Sequence, residues 1–238
     1  TPKGDLWIGT WGGGISKLQP GGTFKRLTPP VNDPETNYEN AFISSLLPDE
    51  RGFLYVGTEG GLAILDLKTE TFRKLDPKNN ALAQINEIGC MCKDRDGYVW
   101  TGTRNGLYRF KADAIDWSYN VVCPENQMQY FSQTSAPSGK THLPGNYIAS
   151  LFEDADGNIW IGTYGDGLVR CTKDKNNGFT FKHYRHTDGL SNEVIYGILQ
   201  DESGFIWLST DYGLSRLNPQ REQFDNFYRA DGLLSDQF

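Results

Sequence analysis

Short apolar runs recur along the chain at one fixed register, and no stretch shows the three-to-four spacing of an amphipathic helix. The clearest copies read Gly4-Asp5-Leu6-Trp7-Ile8-Gly9-Thr10, Gly52-Phe53-Leu54-Tyr55-Val56-Gly57-Thr58 and Gly97-Tyr98-Val99-Trp100-Thr101-Gly102-Thr103. Two more follow, Gly157-Asn158-Ile159-Trp160-Ile161-Gly162-Thr163 and Gly204-Phe205-Ile206-Trp207-Leu208-Ser209-Thr210. Their leading glycines recur at intervals of about 45 to 60 residues, a period that marks a repeat architecture. Upstream of four copies stand the quartets Ile43/Leu46/Asp49/Gly52, Ile88/Met91/Asp94/Gly97, Ile148/Leu151/Asp154/Gly157 and Ile195/Ile198/Asp201/Gly204. Each Asp-x-x-Gly reads as a hairpin turn in which Asp caps backbone amides and Gly52, Gly97, Gly157 or Gly204 takes the positive φ. Downstream, Gly14-Ile15, Gly61-Leu62, Gly106-Leu107, Gly167-Leu168 and Gly213-Leu214 each open another apolar run. Phe24, Phe72, Phe181 and Phe224 mark a fourth.

Four short strands joined by turns and repeated in this way predict an all-β chain, a β-propeller made of four-stranded antiparallel blades. The repeats fall at about 1–40, 41–85, 86–145, 146–192 and 193–238 within one propeller spanning 1–238. A lone blade cannot cover both of its faces, so Trp7, Tyr55, Trp100, Trp160 and Trp207 are expected at equivalent positions between stacked blades. In the long third repeat the expected aromatic is delayed to Phe131, which makes 111–129 an insertion between third and fourth strands. It carries Trp117, Tyr119 and Cys123 and reads as an elaborated blade edge rather than a partner-facing loop. Thr1 falls where the repeat expects the turn Asp, so the first blade should lack its innermost strand. Leu234-Ser235-Asp236-Gln237-Phe238 matches Leu190-Ser191-Asn192-Glu193-Val194, as if another inner strand were beginning. Five repeats could close as a five-bladed ring, but a piece of a larger, seven-bladed propeller explains both ragged ends more simply. A start at Thr1 without Met fits the same reading.

Composition narrows the chemistry. The 238 residues hold Gly 27 and Pro 11, with 13% aromatics, which excludes low-complexity and collagen-like chains. A formal net charge of −7 argues against a surface that tracks nucleic-acid phosphates. No apolar run reaches the roughly 18 residues of a membrane helix, so this segment is expected to make no membrane contact. Cys90, Cys92, Cys123 and Cys171 read as small buried hydrophobes, since Cys90-Met91-Cys92 lacks metal or redox spacing. The histidines are His142, His183 and His186, and strand alternation would put His183 and His186 on opposite faces. Asp94-Arg95-Asp96 and Asp154-Ala155-Asp156 lack the terminal bidentate acid of a calcium loop and read as solvated turn acids. Gly12-Gly13-Gly14 opens no helix and is no phosphate cradle. No catalytic group, metal or cofactor is expected.

The pattern Asn192-x-Val194 through Asp201-x-x-Gly204-x-Ile206-Trp207-x-x-Thr210-x-x-Gly213-Leu214 resembles the two-component regulator propeller repeat. That resemblance implies the periplasmic sensor region of a Bacteroidetes-type hybrid two-component histidine kinase, whose parent is anchored in the inner membrane and regulates transcription. It further implies an oligosaccharide stimulus, with the remaining blades, a β-sandwich and a second copy of the chain as partners. Asp231-Gly232-Leu233-Leu234 onward resembles the stretch before a last blade of the second propeller in that family. The departures are that only five repeats are present and that Ser209 and Tyr55 replace Gly and Trp, which read as drift. Two rivals stand beside this reading. One is a propeller lyase resembling the streptogramin-inactivating enzymes, which needs a base that no repeat-equivalent position supplies. The other is a purely structural docking propeller.

Strands that alternate in direction bring the turns between second and third strands to the same face as the blade-to-blade connections. That face should collect Trp11, Glu59, Arg104, Asn105, Tyr164, Asp166, Asp211 and Tyr212, together with loops 28–41 and 132–146. Aromatic planes beside fork-like donors suit sugar rings. The plainer alternative is that these are only turn residues.

Overall fold

A computed structural model describes residues 1, 4–27, 42–73, 81–116, 121–133, 142–175 and 178–237. Within them the chain is all-β. The first sheet holds β1 (Trp7–Thr10), β2 (Gly14–Leu18) and β3 (Phe24–Leu27), and the second β4 (Ile43–Pro48), β5 (Phe53–Thr58), β6 (Gly61–Asp66) and β7 (Thr71–Arg73). The third holds β8 (Ile88–Lys93), β9 (Tyr98–Thr103), β10 (Gly106–Lys111) and β11 (Met128–Phe131). The fourth holds β12 (Ile148–Glu153), β13 (Ile159–Thr163), β14 (Leu168–Lys173) and β15 (Phe179–Tyr184). The fifth holds β16 (Ile195–Gln200), β17 (Ile206–Thr210), β18 (Leu214–Asn218) and β19 (Gln223–Phe227). Strands run in sequence order across each sheet, antiparallel to their neighbours, which is the meander of a propeller blade. The first blade has three described strands and the others four. Short 3₁₀ turns such as His186–Asp188 are the helical pieces among the described residues. Two compact units emerge, residues 1–91 with 110–129, and residues 92–109 with 130–238.

The Asp-x-x-Gly turns form as their chemistry requires, with φ of 94, 82, 84 and 85° at Gly52, Gly97, Gly157 and Gly204. The aspartate does more than close the turn. Asp154 Oδ1 accepts the amides of Asp156 (3.0 Å) and Asn158 (2.8 Å), while Oδ2 accepts the indole Nε1–H of Trp160 at 2.7 Å. Asp94 binds Trp100 Nε1 at 2.8 Å and Asp201 binds Trp207 Nε1 at 2.7 Å in the same way. Asp154 is only 3% exposed, and Asp94 is half-buried, so the expectation of solvated turn acids is corrected. Of the four acids in those two segments only Asp96 and Asp156 are exposed. The reason is that a buried indole N–H must find an acceptor. Trp7 tests the rule from the other side, because Thr1 stands at the Asp position and Trp7 Nε1 has no acceptor among the described residues.

Each tryptophan also carries a cation on its ring. Trp7, Trp160 and Trp207 lie directly across from Lys17, Arg170 and Arg216 in their sheets. The charges sit 5.4, 5.7 and 5.5 Å from the ring centroids, and Arg109 lies 5.1 Å from that of Trp100. Such contacts contribute about 0.5–2 kcal/mol each. The second blade changes both partners at once, pairing Tyr55 with Ile64. There Arg51 Nη2 takes Asp49 Oδ2 at 2.8 Å and approaches the Tyr55 hydroxyl at 3.4 Å, filling the place of the missing indole N–H. Tyr55 is therefore part of a compensated exchange, not drift. Trp7, Tyr55, Trp100 and Trp160 are buried, and Trp207 is half-buried.

Successive blades meet through glycine. A Cβ on Gly9, Gly57 or Gly162 would stand 2.4, 2.6 or 2.9 Å from Cγ2 of Ile43, Ile88 or Ile195, the first residue of the following inner strand. No real side chain tolerates that approach, so these positions are fixed by packing. Acid clamps add to it. Glu70 of the second blade takes Lys17 (2.9 Å) and Lys25 of the first, and Glu222 of the fifth takes Lys182 (2.5 Å) and Arg170 (3.4 Å) of the fourth. In the first unit, Ala112, Ile115, Val121 and Cys123 of the 111–129 segment are buried. Ala112 O accepts from Arg51 and Cys123 O from the Ala81 amide. Trp117 and Tyr119 lie outside the described residues. Cys123 and Cys171 are buried, Cys90 and Cys92 half-buried.

Asp154→Ala should cost about 2–4 kcal/mol, since it strands a buried indole N–H and two turn amides, whereas Asp156→Ala should stay within about 0.5 kcal/mol. Urea midpoints of the two variants check this, and equal losses would refute the Asp–Trp account. The clamps also set an acid limit. Lys25 and Lys17 hold the Glu70 carboxyl below the usual carboxylate range, and Lys182 does so for Glu222. A lowered folded value means the contribution is complete above the unfolded value of about 4.3 and is lost as pH falls through the folded one. Between pH 5 and 3 the midpoint of Glu70→Gln/Glu222→Gln should therefore fall less steeply than that of the unsubstituted chain.

Candidate functional site

Trp11, Glu59, Arg104, Tyr164 and Asp211 stand at the same offset from the blade aromatic, as the first residue after the second strand. Their backbones are committed to the fold. In the first unit Trp11 bridges to Phe42, and the Glu87 amide donates to Glu59 O at 2.9 Å. In the second unit Tyr164 bridges to Val194, and Gly165 and Gly167 donate to Glu193 O. These turns are thus sewn to the chain entering the next blade, which leaves their side chains pointing outward.

In the second unit the side chains form a ladder rather than a set of open planes. Arg104 lies 5.7 Å from the Tyr147 ring, and Tyr147 stacks on Tyr164 at 4.9 Å and 21°. Tyr164 meets Tyr196 edge-on at 6.2 Å, and the Tyr196 hydroxyl approaches Asp211 Oδ1 at 3.4 Å. Partial burial, then the Asp211 charge, pushes that hydroxyl's pKa up. Tyr164 thus gives one face to Tyr147 and meets Tyr196 edge-on, and it remains 50% exposed. Tyr212, 52% exposed, leans on Tyr228 at 5.2 Å and 44°. Asn105 gives its carbonyl to the Tyr130 hydroxyl, and the Asp166 carboxylate lies so close over Gly145 that a Cβ there would be 1.8 Å away.

In the first unit Trp11 is 85% exposed, the most open aromatic plane of the two faces, and meets Phe42 at 5.6 Å and 81°. The two rings make a right-angled corner beside Gly12, where a Cβ would find only Phe42, at 3.9 Å. Glu59 is exposed on the same unit. Residues 28–41 and 134–141 of the two expected loops lie outside the described residues.

Phe42, Tyr147, Tyr196 and Tyr228 were not among the expected site residues, because they lie beside or within inner or outer strands and not in the turns. An aromatic next to the inner-strand isoleucine, as in Phe42-Ile43, Tyr147-Ile148 and Ile195-Tyr196, was the available signal. His183 and His186 give no shared centre. The His183 ring contacts His142 O at 2.8 Å, while His186 lies beyond β15, with its ring at 2.9 Å from Leu190 O. Among the described residues no group of His, Cys, Asp or Glu is arranged to hold a metal ion.

Comparison with known proteins agrees with the repeat. The family model described as "Two component regulator propeller" matches residues 84–105, 142–165 and 189–212, each running from an inner strand through the Asp-x-x-Gly turn into the tryptophan strand. Histidine kinase P4 of Formosa agariphila is 28% identical over 240 residues, covering 98% of this chain and 16% of that protein. The extracellular domain of a hybrid two component system from B. thetaiotaomicron superposes with a TM-score of 0.77 at 22% identity, covering 100% of this chain and 29% of that one. A catalytically inactive virginiamycin B lyase from Staphylococcus aureus, solved with quinupristin, superposes with a TM-score of 0.60 at 12% identity, covering 94% of this chain and 65% of that one, and shares the fold alone. This chain thus spans well under two thirds of the kinase and of the extracellular domain it matches. The three repeats that hold an Asp–Trp turn are thus the three that match the two-component regulator propeller model, and over them the chain is similar to that family.

Proposed function

We propose that this chain is a non-catalytic, ligand-sensing piece of the periplasmic propeller region of a hybrid two-component histidine kinase, one that responds to oligosaccharides from polysaccharide breakdown and thereby regulates transcription. The observation that carries the ligand face is the exposed indole of Trp11 in its corner with Phe42, an apolar plane of the kind against which sugar C–H faces stack. Tyr212 offers a second, smaller plane on the other unit. The partners are the remaining blades and β-sandwich of the parent and a second copy of the chain. No cofactor enters the reading. Close-packed blades respond to a ligand as bodies, so the ligand acts by preferring one arrangement of them. The extracellular placement of the B. thetaiotaomicron domain supports a site outside the cytoplasm. No helix among the described residues is long and apolar enough to cross a membrane.

The test is a reporter strain carrying the full-length parent, challenged with polysaccharides and their oligosaccharides. Trp11→Ala/Tyr212→Ala should raise the half-maximal stimulus at least tenfold while near-UV circular dichroism stays native. Unchanged induction in that variant refutes the ligand face. Turnover of a glycan or a streptogramin by purified protein refutes the sensor reading and favours the lyase one.

A further inference from the structure

One seam of the second unit departs from the repeat at three positions. Where β6 and β18 place the fully buried Leu65 and Leu217 opposite Phe72 and Phe224, β14 places the smaller Cys171 opposite Phe181. Where the second and fifth blades carry the clamp acids Glu70 and Glu222, the same register brings Phe179, and where they carry Leu67 and Pro219 there is Lys173. The result is a cavity of about 200 Å³ at the end of the strands that bears the Asp-x-x-Gly turns, opposite the end that bears Tyr164 and Tyr212.

Its floor is apolar, formed by Trp100, Phe179 and Ile159. Arg109 reaches it from β10, its guanidinium flat on the Tyr98 ring at 3.3 Å and 3.8 Å from Asp94. The rim is polar and crosses from blade to blade, with Arg95 Nε 2.8 Å from Glu153 and Lys173 Nζ 3.1 Å from Asp96. Cations and carboxylates nearly balance around the space, so neither a free anion nor a free cation is favoured there. The paired rim groups keep hydrogen-bonding capacity beyond their mutual bonds, since an ammonium has several donors and a carboxylate several acceptor sites, and only a polar guest uses it. The volume lies below the roughly 300–1,000 Å³ of sites for larger ligands, which limits the guest to a single ring. An aromatic floor under a rim of both donors and acceptors matches the two surfaces of a small polyol.

We infer that the cavity between the third and fourth blades, opened by Cys171 and rimmed by the Arg95–Glu153 and Lys173–Asp96 pairs, is a binding site for one small uncharged polyhydroxylated ring, a monosaccharide or cyclitol. It is separate from the Trp11 and Tyr212 surfaces and does not rest on the sensor reading. The site exists because a thiol replaces a leucine, so its most specific test restores the leucine. Calorimetric titration of the full chain with glucose, galactose, mannose and myo-inositol, and with glucuronate and glucosamine as charged counterparts, should show saturable one-to-one binding of a neutral probe. Cys171→Leu should weaken it at least tenfold with no fall in Tm, and Lys173→Ala should weaken it severalfold. If leucine overfills the space and Tm drops, Cys171→Val supplies the smaller step and should give an intermediate loss. Absence of saturable binding by every neutral probe, binding unchanged in the folded Cys171 variant, or tighter binding of a charged probe than of its neutral counterpart would each overturn the assignment.

Discussion

A buried indole N–H that has to reach a carboxylate is the interaction on which the third, fourth and fifth blades depend. The Asp that accepts it also gathers the turn amides, so one side chain fixes the hairpin, the start of the next strand and the depth of the tryptophan. The cation across the sheet then closes the other face of the ring. The indole bond draws the Asp201 carboxyl's pKa below the usual range, as expected for a carboxylate stabilised in its charged form. Blade two shows that the requirement is for a satisfied aspartate and not for tryptophan as such, because Arg51 donates to Asp49 in place of the indole and turns its other hydrogens toward the Tyr55 hydroxyl.

Between blades the governing constraint is steric. The isoleucine that starts one inner strand lies against the backbone of the previous blade at Gly9, Gly57 and Gly162, with no room for a methyl group. This contact and the Glu70 and Glu222 clamps act at different radii of the seam, one beside the inner strands and one at the outer hairpins. Both glutamates take the left-handed backbone conformation (φ 54 and 56°), a cost accepted by few side chains other than glycine.

The strands, their order and the four turn glycines were legible in the sequence because each depends on local chemistry repeated at a fixed period. What escaped were facts set by which side chains turn toward one another. Asp94 and Asp154 looked like solvated acids because nothing in Asp-x-x-Gly announces that the tryptophan beyond it turns its N–H back. Tyr55 looked like drift because Ile64 and Arg51, which make sense of it, sit on another strand and in a turn. Turn position puts Trp11, Tyr164 and Tyr212 on the surface, yet it could not show that Tyr164 would stack on Tyr147 and meet Tyr196 edge-on. Cys171 was read as an ordinary small hydrophobe, and the space it opens depends on Phe179 and Lys173 arriving from its own blade beside Arg109 of another.

The division of these contacts bears on how such chains can change by recombination. The Asp, the Trp and its cation all belong to one blade and travel together when a blade is copied or lost. The Gly and the Ile belong to different blades, but because successive blades present them at the same register, a new junction recreates the fit with whatever neighbour it receives. Blades built this way are interchangeable parts. The junction at Cys171 is the exception, since its features come from both sides and differ from those elsewhere, so shuffling the third or fourth blade would erase it in a single event.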